Sequence, residues 1–454
     1  MLGYCRIVAV AAVALVLPNL GGTAHAADPS PRGVFPYEVQ SSTLENGLTV
    51  LSVRFDSPGI IAYYTVVRTG SRNEVEPGLS GFAHFFEHMM FRGTEKYSQE
   101  KYNNVLKTLG ADSNAFTTDD WTCYHMTVPS SALAKAVEVE ADRFRNLRYD
   151  EPAFQKEARA VLGEYNKSAS SPFLMLNESM QDKAYSKHTY KHTTIGFLAD
   201  VKNMPNQYAY SKTFFDRWYR PENCTLIVSG DVDRKDLMRL VRKEYGGWER
   251  GKNAVTIPEE PSQAEPRSAA LKWPSPTLPV LYLGYHIPAA DPSNPDTAAF
   301  GALAQAVFGE TSELYKELVL DQQKVVMLMA DAEVKRDPGL FTVLTRVRNP
   351  KDVAFVRSRI EKAITNAAKT PVESSRLNAI KDHLRYAFAG SLNNADALAR
   401  AVGESISVTG RPNMWTDLYA AYDKLTPADL QRVAGKYFSA TNQTVVTLET
   451  EAPK

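Results

Sequence analysis

Residues 81–91 read GFAHFFEHMMF, and within them His84, Glu87 and His88 stand in the spacing H-x-x-E-H. On a helix, positions i and i+4 share one face, so the two imidazoles can converge on one ion. Imidazole nitrogen is a favoured donor to zinc, which takes three protein ligands in catalytic sites and keeps one position open. Glu87 lies about 100° round the helix from His88, off the ligand line but within reach of a water beside the ion. Such a water has its pKa lowered toward ~7, and a carboxylate can take its proton. Two histidines leave the ligand set incomplete. Residues 156–165, KEARAVLGEY, offer Glu157 and Glu164, seven apart and therefore on one helix face two turns apart. One of them would complete the ligands, and the other would hold a ligand imidazole in its tautomer. The remaining histidines, His125, His188, His192, His286 and His383, lack ligand spacing and read as strand, surface or core residues.

These residues need helices and a sheet to hold them. Residues 48–53, 60–67 and 121–128 alternate or run apolar as strands do. Ser98 precedes an apolar-periodic run to Leu109 that Gly110 closes. Ser130 opens a second helix to about Leu147, and Asp150 with Pro152 a third through Tyr165. Residues 251–269, rich in Pro, Glu and small polar residues, read as a linker between 27–250 and 270–454.

The two parts look alike. Residues 206–219 are helical and turn through Arg220-Pro221-Glu222-Asn223 into a strand at 224–229; residues 427–438 turn through Ser439-Ala440-Thr441-Asn442 into a strand at 443–448. Asn223 and Thr225 fall on Asn442 and Thr444 at an offset of 219. Strand-like 60–67 and 280–286 each precede a helix that ends in Phe-Arg-Gly or Val-Phe-Gly. A duplicated α+β domain is the economical reading. The second copy has no metal site: aligning Gly309 with Gly93 sets Phe300, Leu303 and Ala304 opposite His84, Glu87 and His88.

Composition limits the rest. The 454 residues carry 52 basic and 52 acidic side chains, so nothing marks a nucleic-acid surface or a polybasic membrane surface. Arg6, the apolar run 7–17 and Ala24-His25-Ala26 describe a secretory signal peptide over 1–26. No later segment approaches 18 consecutive apolar residues, so no membrane span is expected in the mature protein. The leader points to secretion across a membrane, with the bacterial periplasm as the destination. Cys123 and Cys224 remain after cleavage and read either as buried thiols or as a disulfide.

Four motifs together resemble the pitrilysin/insulinase inverzincin peptidases. They are GLSGFAHFFEHMMFRGT (78–94), GADSNAFTTDDWTCYH (110–125), KEARAVLGEY (156–165) and WYRPENCTLIVSGDV (218–232). Similarity extends over nearly all of 34–448 and is greatest to the short two-domain branch that includes the mitochondrial processing peptidase and bacterial relatives. The resemblance implies two homologous α+β domains, each an antiparallel sheet flanked by helices. It implies zinc held by His84, His88 and Glu164, with Glu87 as general base and Glu157 supporting a ligand. It also implies that Asn114 and Ala115 lie on an edge segment to which an extended peptide substrate adds as a strand.

One departure bears on partners. Self-sufficient members of the family carry an Arg in an S-R-L-like turn of the second domain and a Tyr shortly after. Here Glu313 and Met327 occupy those places, and neither can donate the hydrogen bonds of an Arg or a Tyr. The expectation is therefore a zinc endopeptidase subunit completed by a paralogous partner that brings the Arg/Tyr pair. A processing peptidase specific to one exported protein is a second reading, and a non-catalytic peptide-binding or assembly subunit a third. The presence of Glu87 speaks against the last, since an inactive scaffold needs no base.

Overall fold

The computed structural model describes residues 33–251 and 255–451. The expected leader at 1–26 lies outside them. The first sheet contains β1 (Val39–Thr43), β2 (Thr49–Arg54), β3 (Ile60–Val67), β4 (Asp112–Thr117), β5 (Thr122–Pro129) and β6 (Cys224–Gly230). Its spatial order is β1-β2-β6-β3-β5-β4. The second contains β7 (Arg267–Trp273), β8 (Val280–Ile287), β9 (Val325–Ala332), β10 (Gly339–Val347) and β11 (Gln443–Thr450), in the order β7-β11-β8-β10-β9. Setting β1 aside, the two sheets have the same order. Both are antiparallel except at one junction, β2 with β6 and β7 with β11, which run parallel. The expected α+β halves with antiparallel sheets are what the chain forms; the one parallel junction in each was not legible, because apolar alternation marks a strand but carries no information on its direction. The duplication extends to single bonds. The Asn223 side chain donates to the Trp218 carbonyl at 2.9 Å, and Asn442 donates to the Tyr437 carbonyl at 2.7 Å.

Helices of the first half follow in chain order as α1 (Phe82–Met89), α2 (Gln99–Leu109), α3 (Leu133–Asn146), α4 (Glu151–Ser168), α5 (Pro172–Ala184), α6 (Leu198–Asn203), α7 (Tyr208–Trp218) and α8 (Arg234–Tyr245). The caps fall where the residue types place them. Ser98 accepts from the Lys101 amide, Gly110 takes the left-handed conformation, and Asp150 accepts from the Ala153 amide ahead of α4. One face of the first sheet packs against α1, α3, α4, α7 and α8 around Tyr63, Phe85, Phe86, Phe144, Val161 and Phe214.

The other faces are covered by exchange. Leu176, Met180 and Ala184 of α5 pack on Val280, Leu340, Val446 and Leu448 of the second sheet. Reciprocally, Leu398, Ala399 and Val402 of helix Ala395–Thr409 pack on Leu51, Ala62, Val66 and Ile227 of the first. Each buried Leu, Ile, Val or Met there contributes about 1.5–3 kcal/mol, so the halves interlock although residues 255–266 between them form no helix or strand.

A polar clasp joins the halves at the hairpin tips. Asp337, on the turn between β9 and β10, pairs with Arg72 and with His188 Nε2 at 2.8 Å. Lys335 reaches Asp119 at 2.8 Å, and the Arg336 amide donates to Asp120 at 2.9 Å. The clasp thus grips the turn that links β4 to β5.

Cys123 and Cys224 are buried free thiols. They sit on β5 and β6, opposite Val66 and Val67 of the intervening β3. Two strand spacings separate them, roughly 9–10 Å, beyond what a disulfide spans. Among the described residues no helix is long and apolar enough to cross a membrane.

Candidate metal centre

The candidate metal centre is built on α1. This helix lacks a side chain at its N-cap, where Gly81 stands at φ 93°. Buried Glu74 supplies the missing acceptors: its carboxylate takes the Gly81 amide and the Ala83 amide, each at 2.7 Å. The dipole and the two bonds favour ionisation of a carboxyl at a helix N-terminus, and burial opposes it. Burial pushes the Glu74 carboxyl up to about 8, although both amides pull it down. A Cβ on Gly196 would lie 2.8 Å from the Gly81 nitrogen, so two bare backbones meet at the start of the helix. Phe82, Phe85, Phe86 and Met89 then bury one side of α1 in the core. The pattern turns His84 and His88 together toward α4, with ring centres 4.8 Å apart.

Glu164 on α4 meets them. Its Oε2 stands 3.6 Å from His84 Nε2 and 3.3 Å from His88 Nε2, and donor atoms of the three residues all lie within 4.8 Å of one another. Metal–ligand bonds of 2.0–2.1 Å in a tetrahedron give ligand–ligand edges of about 3.3–3.4 Å. The spacing and the donor set, two imidazoles and a carboxylate, therefore fit zinc. His84 is held neutral by burial, the form that ligates, and its buried Nδ1 has no partner among the described residues.

Glu157, two turns before Glu164, accepts from His88 Nδ1 through Oε1 at 3.0 Å and pairs with Arg92 through Oε2. Its carboxyl is desolvated, which alone would raise it, yet His88 and Arg92 hold it below the usual range. Burial pulls His88 down, but its bonds to Glu157 and Glu164 outweigh that and leave it raised to about 9. A proton on His88 Nε2 thus takes the place of a cation beside Glu164, and binding the cation releases it.

Glu87 stands outside the three-donor cluster. Its Oε2 accepts from Thr117 Oγ1 at 2.7 Å. Thr117 ends β4, the outermost strand, which pairs only with β5. Its other edge presents unpaired main-chain groups, the template for an added strand. Asn114 and Ala115 lie on this strand opposite His125 and Tyr124. Ala115 is buried, while Asn114 is exposed and its Oδ1 accepts from the Ala115 amide at 2.9 Å.

Sequence reasoning passed over Thr117, Arg92 and Glu74. The period of two along a strand puts Thr117 on the face of Ala115, and Arg92 is four residues beyond His88; those were the available signals. Glu74 had none, because it caps α1 from seven residues upstream across an irregular turn. In the second half, Phe300, Leu303 and Ala304 are buried in that half's core, so the positions matching the metal helix are filled by packing. Glu313 is exposed at the first turn of a short helix, and Met327 lies on β9 opposite Arg346.

Comparison with known proteins agrees with this architecture. Residues 60–196 match the model for Insulinase (Peptidase family M16), and residues 207–384 match Peptidase M16 inactive domain. Zinc protease PqqE of Helicobacter pylori is 28% identical over 450 residues, covering 98% of both chains. Probable mitochondrial-processing peptidase subunit beta of Schizosaccharomyces pombe is 22% identical, covering 88% of each. A crystal structure of a protease from Helicobacter pylori superposes with a TM-score of 0.85 at 28% identity, over 91% of this chain and 99% of that one. Two matched family domains, one fold repeated twice and a metal-ligand cluster in the first repeat place the chain in the insulinase family of peptidases, M16.

Proposed function

We propose that the protein is a zinc-dependent endopeptidase that hydrolyses extended peptides or unfolded protein segments, and that it is the zinc-bearing subunit of a heterodimer. The observation that carries this reading is the convergence of His84, His88 and Glu164 beside Glu87, a carboxylate outside the ligand cluster, at an open sheet edge. Zinc, when bound by those three residues, supplies a Lewis acid that acidifies a water and polarises the scissile carbonyl. Glu87 takes a proton from that water as its oxygen adds to the carbonyl carbon, and gives it to the departing amine as the C–N bond breaks. Glu157 keeps His88 oriented through Nδ1. β4 receives the substrate main chain, which demands an extended segment and gives no grip on a folded one.

The heterodimer follows from Glu313 and Met327. Charge that develops on the scissile oxygen needs donors beyond the metal, and losing one such donor commonly costs about 10²–10³ in rate. A paralogous subunit with an Arg and a Tyr at these positions would provide them. The leader directs the chain across a membrane, and the bacterial periplasm is the compartment we assign. Hydrolysis of an unstructured peptide by the zinc-loaded chain, alone and with a paralogous subunit, tests both parts. Weak cleavage alone, raised at least tenfold by the partner, is expected. No cleavage in either state overturns the peptidase reading; full activity of a demonstrated monomer or homodimer overturns the heterodimer.

A further inference from the structure

We infer that Thr117 is the positioning residue for the general base, and that it ties Glu87 to the strand on which substrate is laid. The inference rests on the peptidase reading above and goes beyond it. Among the described residues, the bond from Thr117 Oγ1 is the one side-chain hydrogen bond that reaches the Glu87 carboxylate, at 2.7 Å. An ionised carboxylate only accepts, so the hydroxyl proton is committed to it, and bonds of this charged kind are among the stronger ones. Oε2 is thereby taken, and Oε1 has no partner among the described residues. A glutamate on a half-exposed helix face otherwise samples many rotamers, and fixing one of them beforehand removes that cost from the chemical step.

The hydroxyl is itself well fixed. Threonine is stiff about χ1. Thr117 faces Thr122 in the β4–β5 ladder, and the turn that follows is closed by the Thr118 amide on the Trp121 carbonyl at 2.8 Å. Thr122 Oγ1 lies 3.5 Å from Thr117 Oγ1 and donates to the Thr69 carbonyl at 2.9 Å, so the far side of Thr117 is occupied. The same turn carries Asp119 and Asp120, which the second half grips through Lys335 and the Arg336 amide. The base is therefore referenced to the substrate strand, and that strand to the second half of the chain.

Thr117→Val keeps the shape and removes the hydroxyl; Thr117→Ser keeps the hydroxyl. In the zinc-loaded full chain, with the partner if activity needs it, Thr117→Val should lower kcat about 10–100-fold and leave KM within about twofold. Thr117→Ser should recover most of the loss. Bound zinc should stay at the wild-type value, and peptide affinity measured in the Glu87→Gln background should not change. Adding Thr117→Val to Glu87→Gln should cost nothing further, because the residue acts through the base. A wild-type kcat in Thr117→Val, an effect confined to KM, or additive losses in the double variant would each overturn the assignment. A wild-type protein that cleaves nothing would bring down the peptidase reading and this inference with it, whereas an active wild type with an equally active Thr117→Val brings down the inference alone.

Discussion

Glu157 Oε1 lies 3.0 Å from His88 Nδ1, on the side of the ring away from the Nε2 that faces Glu164. One imidazole is thus held between two carboxylates from a single helix, two turns apart, and only one of them belongs to the metal cluster. Glu157→Gln should therefore retain zinc binding but weaken metal affinity or activity by roughly 10–100-fold. Competition with a chelator measures the first, and initial rates the second. An unchanged affinity and rate would mean that packing alone fixes the ring.

Removing the ligand carboxylate should do more. Glu164→Gln replaces an anionic oxygen by a neutral amide at the point where both Nε2 atoms converge. Zinc retained through purification should fall from about one per chain to a small fraction of that. Metal analysis with an undiminished ratio would contradict the ligand assignment.

The clasp between the halves makes a prediction about acid. Burial alone would raise the Asp337 carboxyl, but Arg72 and His188 hold it far below the ordinary value. A depressed folded-state pKa contributes stability above the unfolded value, near 3.9, and that contribution is lost as pH falls toward the folded value. Asp337→Asn should cost roughly 3 kcal/mol at neutral pH, as breaking a largely buried pair does, and its disadvantage should shrink below about pH 4. Denaturant midpoints of metal-free wild type and variant, taken from pH 7 to pH 3, check this. Parallel curves over the whole range would show that the pair carries no such linkage.

Much of the first domain was legible because its signals are local. The strand at 60–67, the Ser98 and Gly110 caps and the Asp150-Pro152 start of α4 each rest on a few adjacent residues. The metal helix was legible for the same reason. The exchange of α5 and helix Ala395–Thr409 was not, since an apolar helix face does not say which sheet it covers. Arg72 and Asp337 are 265 residues apart and belong to different repeats, so no window of sequence connects them. Whether Cys123 and Cys224 pair was open until the register put β3 between them. Thr117 lies within the motif at 110–125, but its partner Glu87 is on another element, 30 residues away.

The peptidase reading requires that Glu87 and the three ligands have separate roles. The most direct measurement is the rate of hydrolysis of an unstructured peptide by zinc-loaded wild type and Glu87→Gln, each with its zinc content determined on the same sample. The account predicts equal zinc in both and a loss of several orders of magnitude in kcat/KM for the variant, because a base is removed and no ligand is. A metal-loaded Glu87→Gln protein with near-normal turnover would contradict it.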